Sequence, residues 1–172
     1  LKPIRAIVFG LPNVGKSTLI NKIAGRKIAK TGNEPAVTKL QQRINISKEF
    51  IIYDTPGIMF PSPKSVVSGF RIASIGSIRD TAMDYEGTAC YLIDLLLSRK
   101  MYSFLTRYNI EINDENINKH PQELLHAISR FKTNSNFQQA VRNVVHDYRN
   151  GLFGKVSLED PKTVAIEKRE LE

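Results

Sequence analysis

Two hydrophobic rhythms divide the chain. Up to about residue 58, apolar residues come in short runs closed by Gly, Pro or polar turns; beyond residue 69 they recur at helical spacing over longer stretches. Ile4 to Phe9 (IRAIVF) is β-branched and mostly apolar, the pattern of a buried parallel strand. Leu19, Ile20 and Ile23 share one side of a predicted helix that follows, with Gly25 as its stop. Residues 26–40 hold Gly32 and Pro35 without a sustained period and read as a loop. The runs at 41–46 and 50–53, separated by Ser47-Lys48-Glu49, predict a hairpin. Met59 to Ser68 is rich in Pro and Ser and reads as a switch segment or linker. Phe70, Ile72, Ala73, Ile75 and Ile78 then begin a helical region, and Tyr85 to Leu105 predicts one helix or a helix pair. After the acidic, turn-rich residues 109–118, a helix starts at Pro121, and a last one covers Asn136 to Tyr148 and stops at Gly151. The tail from Lys162 alternates charges and reads as frayed.

The predicted turn between the first strand and the first helix is Gly10-Leu11-Pro12-Asn13-Val14-Gly15-Lys16-Ser17, which fits G-x-x-x-x-G-K-[ST] at every fixed position. A triphosphate crowds several negative oxygens into a space that only backbone amides approach closely, and glycines let a loop wrap that space. Lys16 adds a mobile positive charge for the β- and γ-phosphates, and the Ser17 hydroxyl is placed to ligate Mg2+. The second candidate is Asp54-Thr55-Pro56-Gly57, 37 residues beyond Ser17 at the end of the hairpin's second strand. There the Asp54 carboxylate orients Mg2+ through water and the Gly57 amide senses the γ-phosphate. Within the intervening loop, Thr38 is the candidate to close over Mg2+ and the γ-phosphate, with Thr31 second. Ile58 stands where Ras-type GTPases carry the Gln that orients water, a task an aliphatic side chain cannot do; simple packing of the loop is compatible with that reading.

Composition narrows the classes. No apolar run approaches the roughly 18 residues of a spanning helix, and no signal-peptide layout is present, which reads as a cytoplasmic protein. The lone Cys90 excludes an internal disulfide and reads as a core filler, and His120, His126 and His146 have no ligand spacing. Of the net charge of +8, residues 1–60 carry 10 Lys/Arg against 3 Asp/Glu, and the rest carry 15 against 14. That basic end suits nucleotide phosphate and a polyanionic partner such as RNA, or a plain solvated surface.

Three segments coincide: GLPNVGKSTLIN, the AKTGNEPAVTK loop and YDTPGIMFP, followed by GFRIASIGSIRD and a helical region. Together they resemble the circularly permuted GTPases of the ribosome biogenesis GTPase A (YlqF-like) family, which includes mitochondrial relatives. The resemblance implies an α/β P-loop NTPase domain, partial and circularly permuted, at 1–66, an all-α helical RNA-binding domain at 67–160 and a charged tail at 161–172. It implies GTP and GDP as ligands, action on the large ribosomal subunit precursor and its rRNA, and a cytoplasmic or mitochondrial-matrix location. It carries phosphate contacts onto Asn13, Val14, Gly15, Lys16, Ser17 and Thr18, Mg2+ contacts onto Ser17 and Thr38, and γ-phosphate sensing onto Gly57. Asn13 matches the P-loop Asn that helps hold K+ in K+-stimulated relatives, an ion standing in for an arginine finger.

Ala36 departs from the family's usual Gly in a PGxT run. No N-K-x-D stretch, whose Asp reads the guanine edge, is present; a permuted chain carries it ahead of the P-loop, and a chain starting at Leu1 without Met reads as an excised piece with an exposed sheet edge. The residues by themselves leave two other classes open: a P-loop ATPase or nucleotide kinase, and an RNA- or ribosome-binding module with an inert nucleotide site.

Overall fold

The computed structural model describes residues 2–29, 40–59, 65–132 and 134–170. It falls into two compact units, Leu1–Met83 and Asp84–Glu172. The division comes after Met83, on the far side of the first helix that follows the linker.

In the first unit, β1 (Ile4–Val8), β2 (Gln42–Asn45) and β3 (Phe50–Asp54) form a sheet of order β1-β3-β2. β1 runs parallel to β3 with Val8 opposite Asp54, and β2 pairs antiparallel to β3 with Gln42 opposite Asp54, as the hairpin pattern predicts. Helix α1 (Lys16–Ala24) covers one face: its buried Ile20 meets Ala29, Ile44 and Ile52, with Ala6, Val8 and Phe50 at the margin. Gly25, at φ 64°, ends α1 in the left-handed conformation that favours glycine. Asn21 fixes the chain leaving α1, accepting from the amides of Ile28 and Ala29 at 2.8 Å and donating to Ala29 O at 2.9 Å.

The burial expected of the first strand is not found. Ile4, Ile7 and Phe9 are 69%, 61% and 71% exposed, and on α1 Leu19 and Ile23 are half exposed. Ala6 and Val8 face the cluster around Ile20, while Ile7 and Phe9 alternate to the opposite face of the sheet and stay exposed there; β1 pairs on one edge only among the described residues.

Helix α2 (Val66–Ser74) begins inside the segment expected to be linker, because Ser65 caps it by accepting from Ser68 N. It ends in a Schellman motif. Gly76, at φ 75°, donates to Ala73 O at 2.9 Å, and Ser77 N donates to Ile72 O at 3.1 Å. One 3-10 turn, Asp80–Ala82, closes the unit.

The second unit is helical. The predicted helix pair is α3 (Tyr85–Ser98) and α4 (Ser103–Arg107), and a single turn, α5 (Asp114–Ile117), interrupts the acidic stretch. The remaining predicted helices are α6 (Pro121–Lys132) and α7 (Phe137–Arg149), the latter capped by the Asn136 side chain. The core joins Leu92, Ile93 and Leu96 of α3, Leu124 and Ile128 of α6, and Val141 and Val145 of α7, all fully buried. Phe153 adds edge-on contacts to Phe104 and Tyr108. Asp147 of α7 accepts a two-point bond from Arg107, at 2.6 and 3.1 Å, and another from the Tyr108 hydroxyl at 2.8 Å, which ties α4 to α7.

The tail is not frayed as its composition suggests: α8 (Pro161–Glu170) forms there. Asp160 accepts from the amides of Lys162 and Thr163 at 2.9 Å, and Pro161 occupies the first helical position, where its missing N–H costs nothing.

Candidate phosphate-binding site

The loop between β1 and α1 is shaped by backbone conformations that most side chains resist. Asn13 is left-handed at φ 58°, and Gly15, at φ 91°, sits at the N-cap of α1. Alternating left- and right-handed residues point successive amides into one concavity, a nest for an anion. Gly15 brings no capping side chain and the first turn of α1 holds no acidic residue, so its amides and the positive end of the helix dipole face the loop uncompensated.

Lys16 arches back over this ring, donating to Gly10 O at 3.1 Å and Leu11 O at 2.7 Å. Burial holds its ammonium below the ordinary lysine range, and the Asp54 carboxylate works against that shift. Ser17 and Thr18 follow in the first turn of α1, Ser17 half-buried, Thr18 and Val14 exposed. The Ser17 hydroxyl donates to Asp54 Oδ2 at 3.3 Å. Parallel pairing of β1 with β3 brings these two residues together, because it sets the end of β3 beside the mouth of the loop.

Asp54 is 1% exposed, and its Oδ1 has no hydrogen-bond partner among the described residues. A buried carboxylate oxygen left bare is costly, and the usual remedy is a cation or its water. The residues therefore fit a hydrated Mg2+ between Ser17 and Asp54, a hard cation that prefers oxygen donors and retains waters.

Gly57 packs against Pro12: a Cβ there would stand 2.6 Å from Pro12 Cα and 2.7 Å from Pro12 N. Ile58 N donates to Gly10 O at 3.1 Å, so the turn after β3 is bonded to the phosphate loop directly. The Ile58 side chain is 58% exposed. Thr38 and Thr31 lie outside the described residues. The Asn13 side chain, the potassium contact that the resemblance implies, donates its amide N–H to Gly76 O at 2.9 Å.

Pattern reading misses three contributors. Thr55, buried beside Asp54, donates to Val8 O at 2.8 Å and locks the ends of β1 and β3 together. Gly76 and Ser77 hold the loop from the end of α2, and only the Ile75-Gly76-Ser77 helix stop hints that a fixed turn is present. Cys90 takes no part: burial, then Glu86 and Asp84, push its thiol up and away from the reactive thiolate. Among the described residues no group of three or more His, Cys, Asp or Glu could hold a metal ion, and no helix is long and apolar enough to cross a membrane.

Residues 5–132 match the model of a family described as 50S ribosome-binding GTPase. Ribosome biogenesis GTPase A of Priestia megaterium is 35% identical over 93% of this chain and 56% of its own length, and that of Bacillus cereus is 34% identical over 99% and 58%. Mitochondrial ribosome-associated GTPase 1 of Mus musculus is 28% identical over 89% of this chain and 53% of its own. The chain thus spans a little over half the length of these curated relatives. The solved GDP-bound structure of TM YlqF superposes with a TM-score of 0.59 at 19% identity, covering 93% of this chain and 62% of that one, a likeness of fold. The phosphate loop, the DTPG turn and the helices as far as Lys132 all fall within the family match, and the chain belongs to the 50S ribosome-binding GTPase family.

Proposed function

We propose that this chain is the phosphate-binding and helical portion of a GTP-hydrolysing factor for assembly of the large ribosomal subunit, drawn from a circularly permuted GTPase. The observation that supports this most is the bare, buried Oδ1 of Asp54 beside Ser17 at the mouth of an amide nest. The printed names of the relatives, ribosome biogenesis and ribosome-associated GTPases, supply the biological context. The basic excess within residues 1–60 suits rRNA of the subunit precursor as partner. Bacterial and mitochondrial relatives fit a cytoplasmic or matrix location.

In this reading the amides of Asn13 to Thr18 wrap the phosphates. The Lys16 ammonium leaves the carbonyls of Gly10 and Leu11 for the β- and γ-phosphates. Ser17, Thr38 and Asp54 would hold Mg2+, and the bound ion would neutralise charge developing on the phosphate oxygens. Gly57, backed by Pro12, offers its amide to the γ-phosphate, so loss of that phosphate releases the turn after β3. Ile58 has no group to orient water, and the water-positioning task falls to a group other than Ile58. Asn13 remains the proposed K+ contact; rates equal in K+ and Na+ would remove it from that role.

Competition for a fluorescent GDP analogue on the intact protein tests the reading. GTP and GDP should displace the analogue in an Mg2+-dependent way, with ATP at least about 100-fold weaker, the order expected when a site's hydrogen bonds suit one base only. Equal competition by ATP would favour the ATPase or nucleotide kinase class instead.

A further inference from the structure

Pro12, the buried residue at the crest of the phosphate loop, is held from two sides. Gly57 abuts it on one side. On the other, the Ser77 hydroxyl, 1% exposed, donates to Pro12 O at 2.5 Å, and Asn13 Nδ2 donates to Gly76 O at 2.9 Å. Gly76 and Ser77 complete the Schellman motif of α2, so their positions are set by bonds to Ala73 and Ile72. The loop therefore leans on the rigid end of a helix more than sixty residues away in sequence.

We infer that Ser77 is a positioning residue for the phosphate loop. Carbonyl and amide of one trans peptide point in opposite directions. Drawing Pro12 O toward Ser77 turns the Asn13 N–H the other way, away from α2, toward the side on which the loop gathers its amides. The left-handed backbone at Asn13, φ 58°, is held there by the side-chain bond to Gly76 O. Ser77 thus sets the donor geometry before any phosphate arrives, the preorganisation that lets a polar site bind without rearranging. The use of this donor for nucleotide rests on the function proposed above; the anchoring of the loop does not.

The test compares Ser77→Ala, Ser77→Thr and Ser77→Val with Ser65→Ala, which weakens the cap of α2 without touching the loop. Thr and Val have the same shape and differ in the hydroxyl alone, so a general packing defect affects both equally. In nucleotide-free protein, hydrogen exchange at the amides of Asn13 to Gly15 should quicken about tenfold in Ala and Val variants, the order of one lost buried hydrogen bond, and stay near wild type in the Thr and Ser65→Ala variants. GDP dissociation should quicken by about the same factor in the same two variants. Exchange that is unchanged in Ser77→Ala, or that rises alike in the Thr and Val variants, overturns the assignment. If no variant, wild type included, binds GDP while the exchange pattern holds, the nucleotide reading fails and the anchoring stands.

Discussion

Lys16→Ala lowers the affinity of the intact protein for GTP and GDP by at least about 100-fold while leaving the melting temperature near the wild-type value. The two carbonyls that Lys16 now bridges, Gly10 O and Leu11 O, sit at the half-exposed rim of the loop, where water can replace the ammonium. Stability should therefore change little. Burial already disfavours the charged form at this position, and a polyphosphate compensates that cost with two charge-assisted hydrogen bonds, each worth about 1.5–3 kcal/mol. Their joint loss accounts for the size of the effect. Lys16→Arg should rescue binding poorly, because a planar fork cannot follow the narrow path that a single ammonium takes over the ring. Calorimetric titration with Mg2+ and GDP measures both variants, and unchanged affinity in the alanine variant removes Lys16 from the phosphate site.

Gly57→Ala is expected to be nearly as damaging, by a different route. The added methyl would stand 2.6 Å and 2.7 Å from backbone atoms of Pro12 and 2.9 Å from its Cγ, distances that real carbon atoms do not keep. One of the two strands of chain must retreat. Overpacking of this kind costs about 1–3 kcal/mol, and here it falls on the contact between the phosphate loop and the turn proposed to sense the γ-phosphate. GTP hydrolysis should drop by about 100-fold and GDP affinity by about tenfold, since the diphosphate does not need the Gly57 amide. Pro12→Ala in the same protein should fail to restore activity, because two of the three contacts are to backbone that the substitution leaves in place. Full recovery in the double variant would show that the clash is with the proline ring alone.

Much of this arrangement is legible in the order of residues, for physical reasons that differ from element to element. The hairpin of β2 and β3, helix α1 and helices α6 and α7 follow from local periodicity together with stops such as Gly25 and Gly151, where backbone requirements lie within a few residues. The phosphate loop is legible because its chemistry demands fixed types at fixed spacing. The burial of β1 is not, since IRAIVF describes a strand covered on both faces, and only Ala6 and Val8, on the face toward α1, pack against the core while Ile7 and Phe9 stay exposed. Helix α8 is hidden by its charged composition, although Asp160-Pro161 marks its start plainly enough. Helix α2 starts early because the Ser65 cap outweighs a Pro- and Ser-rich context. The support from Ser77 has no local signature at all: its partner, Pro12, is 65 residues away, and only the folded chain brings them together.

In the proposed function the loop from Gly10 to Ser17 grips a polyphosphate. Amide chemical shifts recorded as Mg2+ and GDP are added to the protein test this most directly. The largest changes should fall on Asn13 to Thr18, with smaller ones at Asp54 and Gly57 and none in the cores of α3, α6 and α7. Saturating GDP that leaves Asn13 to Thr18 unmoved, or moves residues of the helical unit instead, would contradict it.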